Sequence, residues 1–300
     1  MTDHQGNPKR RHILVTGATG KVGTHFIRRV LESAEHSDTT IRALCHNRVW
    51  EPHPRMDIVR GSIADREVVR AAMQGITHVV HCATCKETPE LVMDVTVKGL
   101  FWLLEECVAS ESFKQILLIG GDAAMGHFFY PHPRPVTEEQ KHSAYPGCYA
   151  LSKVLEEVML EQYFVQYDLN GCCLRAPWIM EKDDFKYSLS FGEDVFGGPR
   201  WSDLVEGMMM ALDHPKARQQ TFNICMDEPV DYRLVAEHLL ETRGMPVVAI
   251  ETPYWSTWLD NSKAKFLLGW KPRYDMKRLV NEAWSYRRGE DDPRHVWYPG

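Results

Sequence analysis

A glycine-rich turn near the N-terminus constrains this chain more than any other feature. Thr16-Gly17-Ala18-Thr19-Gly20-Lys21-Val22-Gly23 follows an apolar, strand-like run over 12–16. It opens a helical stretch over 21–33 that puts Val22, Phe26, Ile27 and Val30 on one face. Glycine allows a tight turn and lets backbone amides come close to a ligand. The helix start behind it offers unpaired N–H groups and a partial positive charge. Strand, glycine turn and helix in that order form a pyrophosphate cradle, the signature of a dinucleotide site.

The rest of the first half repeats this alternation. Strand-like runs at 40–45, 56–59, 77–82, 115–120 and 171–175 are separated by helical stretches, among them 91–109 and 149–167. Asp65 has the position of a helix N-cap. Parallel neighbours need crossover helices, so the order predicts an α/β protein with a Rossmann-type, doubly wound parallel sheet. From about residue 177 the pattern changes. The expected organisation is a loose, disordered tail over 1–11, a dinucleotide-binding domain over 12–176 and a small C-terminal substrate lobe over 177–300. Residues 201–225 are candidates to return to the sheet.

Composition narrows the function classes. The chain has 300 residues, 44% of them hydrophobic, and 35 basic against 41 acidic side chains, a net charge of −6. It lacks the basic excess of a general nucleic-acid binder. No apolar run reaches the ~18 residues of a membrane span, and no signal segment is evident. Eight cysteines at irregular spacing do not make a disulfide framework. The expectation is a cytoplasmic protein with a small-molecule substrate and neither nucleic-acid nor membrane partner. No zinc pattern accompanies Cys82-x-x-Cys85, and no metal site is expected. Met208-Met209-Met210 and Cys172-Cys173 read as core.

The end of the second strand bears on the cofactor. NAD readers usually place an acid there, and NADP readers an arginine. His46-Asn47-Arg48 holds no carboxylate, and Lys21 stands in the glycine loop, so NADP is preferred over NAD. Further on, Tyr149-Ala150-Leu151-Ser152-Lys153 sets a phenol and an ammonium on one helical face. A phenol of pKa ~10 is a poor base at neutral pH. An ammonium about 5 Å away favours phenolate by roughly 3 kcal/mol at an effective dielectric of about 20, some two pKa units. Tyr149 thus suits general acid–base work on a hydroxyl that loses hydride, with Lys153 lowering its pKa.

The two motifs together resemble the extended short-chain dehydrogenase/reductase family, also called the NAD-dependent epimerase/dehydratase family. Gly17, Gly20 and Gly23 match its phosphate loop, and Tyr149 with Lys153 its acid–base pair. Gly61-Ser62-Ile63-Ala64-Asp65 resembles the segment near the adenine. His81-Cys82-Ala83-Thr84, followed by Lys86, resembles the fourth-strand end that lines the cofactor. Thr96 stands where the family usually has Asn; Leu174-Arg175-Ala176-Pro177 and Leu268-Gly269-Trp270-Lys271-Pro272 resemble later signatures. The resemblance implies cofactor contacts from Gly17, Thr19, Gly20, Lys21, Val22, Arg48, Ser62, Ile63, Cys82, Ala83, Thr84, Lys86, Thr96, Tyr149, Lys153 and Ala176. It also implies a homodimer.

The chain departs from the family at two places. The family's Ser or Thr at the end of the fifth strand, which bonds the substrate oxygen, aligns with Gly121. Asp122 stands where dehydratases carry an acid. Trp178 occupies the place of an Asn that holds nucleotide sugars in epimerases. With a short lobe behind it, this points to a smaller substrate: a sugar, sugar acid or polyol. Gly121, Trp178 and Arg200 are the candidate substrate contacts, Arg200 because a guanidinium suits a carboxylate. The primary expectation is hydride transfer between a nicotinamide dinucleotide and a secondary alcohol or ketone, with Tyr149, Lys153 and Asp122 as catalytic candidates. Two alternatives stand: a sugar epimerase or dehydratase that retains its dinucleotide, and a non-catalytic dinucleotide sensor or scaffold. Fold alone does not separate them.

Overall fold

The structure is a computed structural model that describes residues 11–85, 87–126, 129–132, 134–177, 179, 194–195, 201–246 and 258–285. Among these, seven strands form one parallel sheet: β1 (His12–Thr16), β2 (Thr40–Cys45), β3 (Met56–Arg60), β4 (His78–His81), β5 (Gln115–Gly121), β6 (Gly171–Ala176) and β8 (Gln220–Asn223). Their spatial order is β3-β2-β1-β4-β5-β6-β8. The order reverses direction between β1 and β4, and there an open α/β sheet presents its ligand crevice, beyond the carboxyl ends of the strands. A short antiparallel pair, β7 (Asp194–Val195) with β9 (Val230–Asp231), was not evident from the sequence.

Apolar cores cover both faces of the sheet, as buried parallel strands require. On one face, α1 (Lys21–Glu32) and α6 (Trp201–Ala211) bring Phe26, Ile27, Val30, Leu204 and Met208 onto β1 and β6. On the other, α2 (Arg66–Met73), α4 (Gly99–Ala109) and α5 (Cys148–Tyr167) contribute Val69, Leu100, Leu103, Leu104 and Leu160. Asp65 does cap α2, accepting the Glu67 N–H at 2.9 Å. Residues 201–223 return to the sheet: β8 runs parallel to β6, pairing Cys172 with Gln220 and Arg175 with Asn223. Further on, α7 (Tyr232–Arg243) and α9 (Met276–Ser285) share a small core of Val235, Leu239, Leu279 and Val280, and α8 (Ser262–Leu268) packs near β8. No helix among the described residues is long and apolar enough to cross a membrane.

Two expectations need correction. The helix expected over 91–109 is not uniform. A turn at α3 (Pro89–Leu91) leads into a π-helical segment, Val92–Lys98, before α4 begins. The segment is held by tertiary contacts: a Cβ on Gly99 would stand 2.8 Å from Ile63 Cγ2, so the helix packs closely there, and buried Thr96 accepts the Cys85 N–H at 3.0 Å. The second is Arg11, which is not part of a loose tail. Its Nε lies 2.8 Å from Asp213 Oδ2, and His78 Nε2 lies 3.1 Å from Asp213 Oδ1. Residues 1–10 lie outside the described residues.

Burial alone would raise the Asp213 carboxyl, but bonds and charge from His78 and Arg11 outweigh it and hold the group well below the usual range. A depressed carboxylate stabilises the fold above its unfolded pKa of about 3.9, and that contribution fades as pH falls below it. Asp213 has φ +58°, a conformation asparagine tolerates. Asp213→Asn is therefore expected to cost about 1–3 kcal/mol at pH 7. The gap to wild type should narrow as pH falls below about 4. Urea denaturation across that range checks both.

Candidate active site

The glycine turn lies at the carboxyl end of β1. Gly17 has φ +62°, and a Cβ there would meet Ala83 N and the Cys82 carbonyl at 2.7 Å. Glycine at 17 thus presses the turn against the end of β4. Gly23 lets α1 approach the turn, since a Cβ would stand 2.4 Å from the Gly17 carbonyl oxygen. Gly20 caps α1 in extended conformation with no side-chain cap bond. The first-turn amides of α1 therefore have no side-chain acceptor at the cap and face the crevice, as a pyrophosphate requires. These features fit a dinucleotide. Thr19 and Val22 are half-buried beside them. Lys21 turns elsewhere: its Nζ donates to the Ile179 carbonyl and ties the chain after β6 over the loop. Trp50 was missed by sequence reading; its Nε1 donates to the Ala18 carbonyl at 2.8 Å.

The other candidates gather along the same edge. Arg48 is half-buried after β2. After β3, Ser62 Oγ accepts the Ala64 N–H at 3.2 Å and Ile63 packs against Gly99. At the end of β4, the Ala83 N–H donates to Thr16 Oγ1 at 3.3 Å, with Thr84 half-buried beyond it. Burial pushes the Cys82 thiol up to about 12, so it stays protonated at neutral pH. Thr96 spends its hydroxyl on the Cys85 backbone and so supports the strand end from behind. Ala176 pairs with Gly121 across β5 and β6. Lys86, Trp178 and Arg200 lie outside the described residues.

Tyr149 and Lys153 lie in the first turns of α5, facing the ends of β4 and β5. Lys153 Nζ is 5.9 Å from the Tyr149 ring centroid and donates to the Ile119 carbonyl at 3.2 Å. The ammonium is buried. Burial alone would lower its pKa, but the charge of Glu156 and Tyr149 outweighs this and raises it, so Lys153 is a cation at any working pH. A Cβ built on Gly121 would stand 4.0 Å from the Tyr149 hydroxyl and 3.7 Å from the Ala176 carbonyl. Position 121 therefore does aim at Tyr149, and here it carries no side chain. Asp122 is buried directly after it, at the start of a short 3-10 turn.

Sequence reading did not single out the residues around this pair. Glu87 has φ +34°; its carboxylate lies 3.5 Å from the Tyr145 hydroxyl and 3.3 Å from Cys148 Sγ. Tyr145 stacks on Phe129 with centroids 4.6 Å apart. Burial, then the Glu87 charge, raises its phenol above the ordinary range. Glu156 lies three residues after Lys153, on the same helical face, a spacing that sequence alone could have flagged.

Comparisons with known proteins agree with this geometry. The family model described as "NAD dependent epimerase/dehydratase family" matches residues 13–180. UDP-glucose 4-epimerase of Streptococcus mutans is 23% identical over 336 aligned residues, covering 93% of this chain and 99% of that protein. A short-chain dehydrogenase/reductase superfamily protein from Agrobacterium tumefaciens with bound NAD superposes with a TM-score of 0.78 at 20% identity, covering 92% and 96% of the two chains. UDP-glucuronic acid 4-epimerase from Bacillus cereus, in complex with UDP-glucuronic acid and NAD, gives 0.72 at 18% identity, covering 92% and 98%. With the matched model spanning more than half of its length, the chain belongs to the NAD dependent epimerase/dehydratase family and is an NAD-dependent enzyme of the extended short-chain dehydrogenase/reductase type.

Proposed function

We propose that the protein is a sugar epimerase that retains its dinucleotide through each turnover, in place of the freely exchanging oxidoreductase that the sequence suggested first. The observation that carries this is the placement of Tyr149 at the ends of β4 and β5, on the same sheet edge as the uncapped start of α1. The match to a 4-epimerase along nearly the whole of both chains supports it. NAD is the proposed cofactor. It is named with the solved relatives above, and Lys21, one basis for preferring NADP, is engaged with the Ile179 carbonyl.

The glycine turn and the α1 amides would hold the pyrophosphate, with Cys82 to Thr84 at the adjoining end of β4. When bound, the dinucleotide supplies a reversible hydride acceptor. Tyr149 accepts the proton of a secondary sugar hydroxyl and later returns it. Lys153, fixed by Ile119 and Glu156, keeps a positive charge beneath the phenol. Asp122, buried one residue after Gly121, is the second acid–base candidate. The same reading carries a dimer of two copies: Phe101, Val108, Leu151, Val158 and Val165 leave apolar surface exposed along α4 and α5.

The test is to denature freshly purified protein and identify the released dinucleotide by mass spectrometry. About one equivalent of NAD per chain is expected, and conversion of free and UDP- or dTDP-linked hexoses without added cofactor should follow. An empty protein that turns over only with added NAD or NADP would return the assignment to an exchanging dehydrogenase or reductase.

A further inference from the structure

Lys153 is not a lone cation beneath Tyr149. Glu156 is fully buried, with its Oε2 2.8 Å from Lys153 Nζ and its Oε1 3.5 Å from His81 Nε2. Neither carboxylate oxygen receives a well-directed hydrogen bond. A buried carboxylate with so few partners is costly, and an apolar side chain would fill the same space more cheaply. The contact also leads outward. His81 Nδ1 lies 2.8 Å from Thr16 Oγ1, the residue that opens the glycine turn, and that hydroxyl accepts the Ala83 N–H. The pair is thus built into the junction of the acid–base helix with the cofactor cradle.

We propose that Glu156 is a positioning residue that holds Lys153 in place and, by compensating its charge, keeps Tyr149 protonated until a further positive charge enters the site. This rests on reading Tyr149 as the acid–base group. A lone ammonium strongly favours the phenolate. An ammonium with a carboxylate in contact acts on the phenol as a dipole, whose pull is much weaker. With its cradle empty the protein therefore does not carry a standing phenolate, and ionisation is coupled to occupation of the cradle. Among the described residues, the other titratable groups beside this cluster come from the strands and loops packed against it. From the end of β4 comes His81, with Cys82 directly after it, and from β6 Cys173; Tyr145 and Glu87 come from the loops before α5 and after β4, and Asp122 from the turn after β5. Glu157, the next residue on α5, is committed to Arg175 and His142.

The experiment is a pH titration by NMR of protein carrying 13C at the tyrosine Cζ, without substrate and after bound dinucleotide has been removed, its absence checked by mass spectrometry. The Tyr149 resonance is the one lost in Tyr149→Phe. Removing the carboxylate charge with Glu156→Gln should lower the Tyr149 midpoint by about one pH unit or more, and Glu156→Asp should lower it less. A folded Glu156→Gln variant whose midpoint stays within about 0.2 unit of wild type, or rises, overturns the proposal. If Glu156→Gln does not fold, the double variant Lys153→Met/Glu156→Leu decides, because buried pairs are often replaceable by apolar residues. Loss of a compensated pair leaves the midpoint within about half a unit of wild type, whereas a rise of about two units shows an uncompensated ammonium and overturns the proposal. The titration follows one proton without turnover. Full activity in Tyr149→Phe would therefore sink the functional reading and leave this result standing on its own.

Discussion

Tyr149→Phe is expected to lower kcat about a thousandfold, within the 10²–10⁴ range of a positioned acid–base group, and to leave the bound dinucleotide at wild-type stoichiometry. The phenol is the proposed proton acceptor at the substrate oxygen. Its loss removes an interaction of the transition state, so kcat should fall with little change in KM. The position of Gly121 sharpens the expectation. A Cβ at position 121 would stand 4.0 Å from the Tyr149 hydroxyl, so a hydroxyl placed there would bond the substrate oxygen beside the phenol without replacing its proton transfer. Gly121 is extended, with φ −162°, and a Cβ at that point makes only ordinary contacts. Gly121→Ser is therefore tolerated by the fold and should raise wild-type turnover by a few-fold to about tenfold. It should not rescue Tyr149→Phe. Steady-state kinetics on a substrate found by the hexose screen decides both.

Arg175→Leu should cost about 3–5 kcal/mol of stability, the largest structural effect expected of a single substitution here. The Arg175 guanidinium is buried and grips Glu157 with two bonds, Nη2 to Oε2 at 2.6 Å and Nε to Oε1 at 3.2 Å. His142 reaches the same carboxylate at 2.9 Å. Burial alone would raise the Glu157 carboxyl, but His142 and Arg175 outweigh it and hold it low. Nη1 continues to Asn223 Oδ1 at 3.4 Å, and Asn223 Nδ2 donates to the carbonyls of Val136 and Asp260. One polar spine thus joins α5, β6, β8 and two loops. Removing the arginine leaves a buried carboxylate with only a histidine beside it. Arg175→Leu/Glu157→Leu should recover most of the loss, because it removes the uncompensated charge along with its partner. The urea midpoints of the three proteins check this.

Local rules made much of the fold readable. Glycine spacing after a strand specifies the cradle, because only glycine permits the backbone approach seen at Gly17 and Gly23. Alternating strand and helix periods specify a parallel sheet, because parallel neighbours need crossovers. The exceptions follow from contacts distant in sequence. The π-helical segment at Val92–Lys98 comes with packing of Gly99 on Ile63, which helical periodicity does not report. Arg11 leaves the tail because Asp213, 202 residues away, lies next to it.

The site divides the same way. From sequence alone come the candidates Tyr149 and Lys153, their shared helical face and the phosphate turn, all functions of local spacing, and, through the family resemblance, the missing hydroxyl at Gly121. Tertiary structure alone brings Glu87 and Tyr145 beside that face, directs Lys21 to a backbone carbonyl and sets His81 against Glu156. The sequence estimate treated Lys153 as a solitary charge about 5 Å from a phenol. Its effect depends on the carboxylate 2.8 Å away, and a Coulombic sum over three groups is known only once the chain has folded them together.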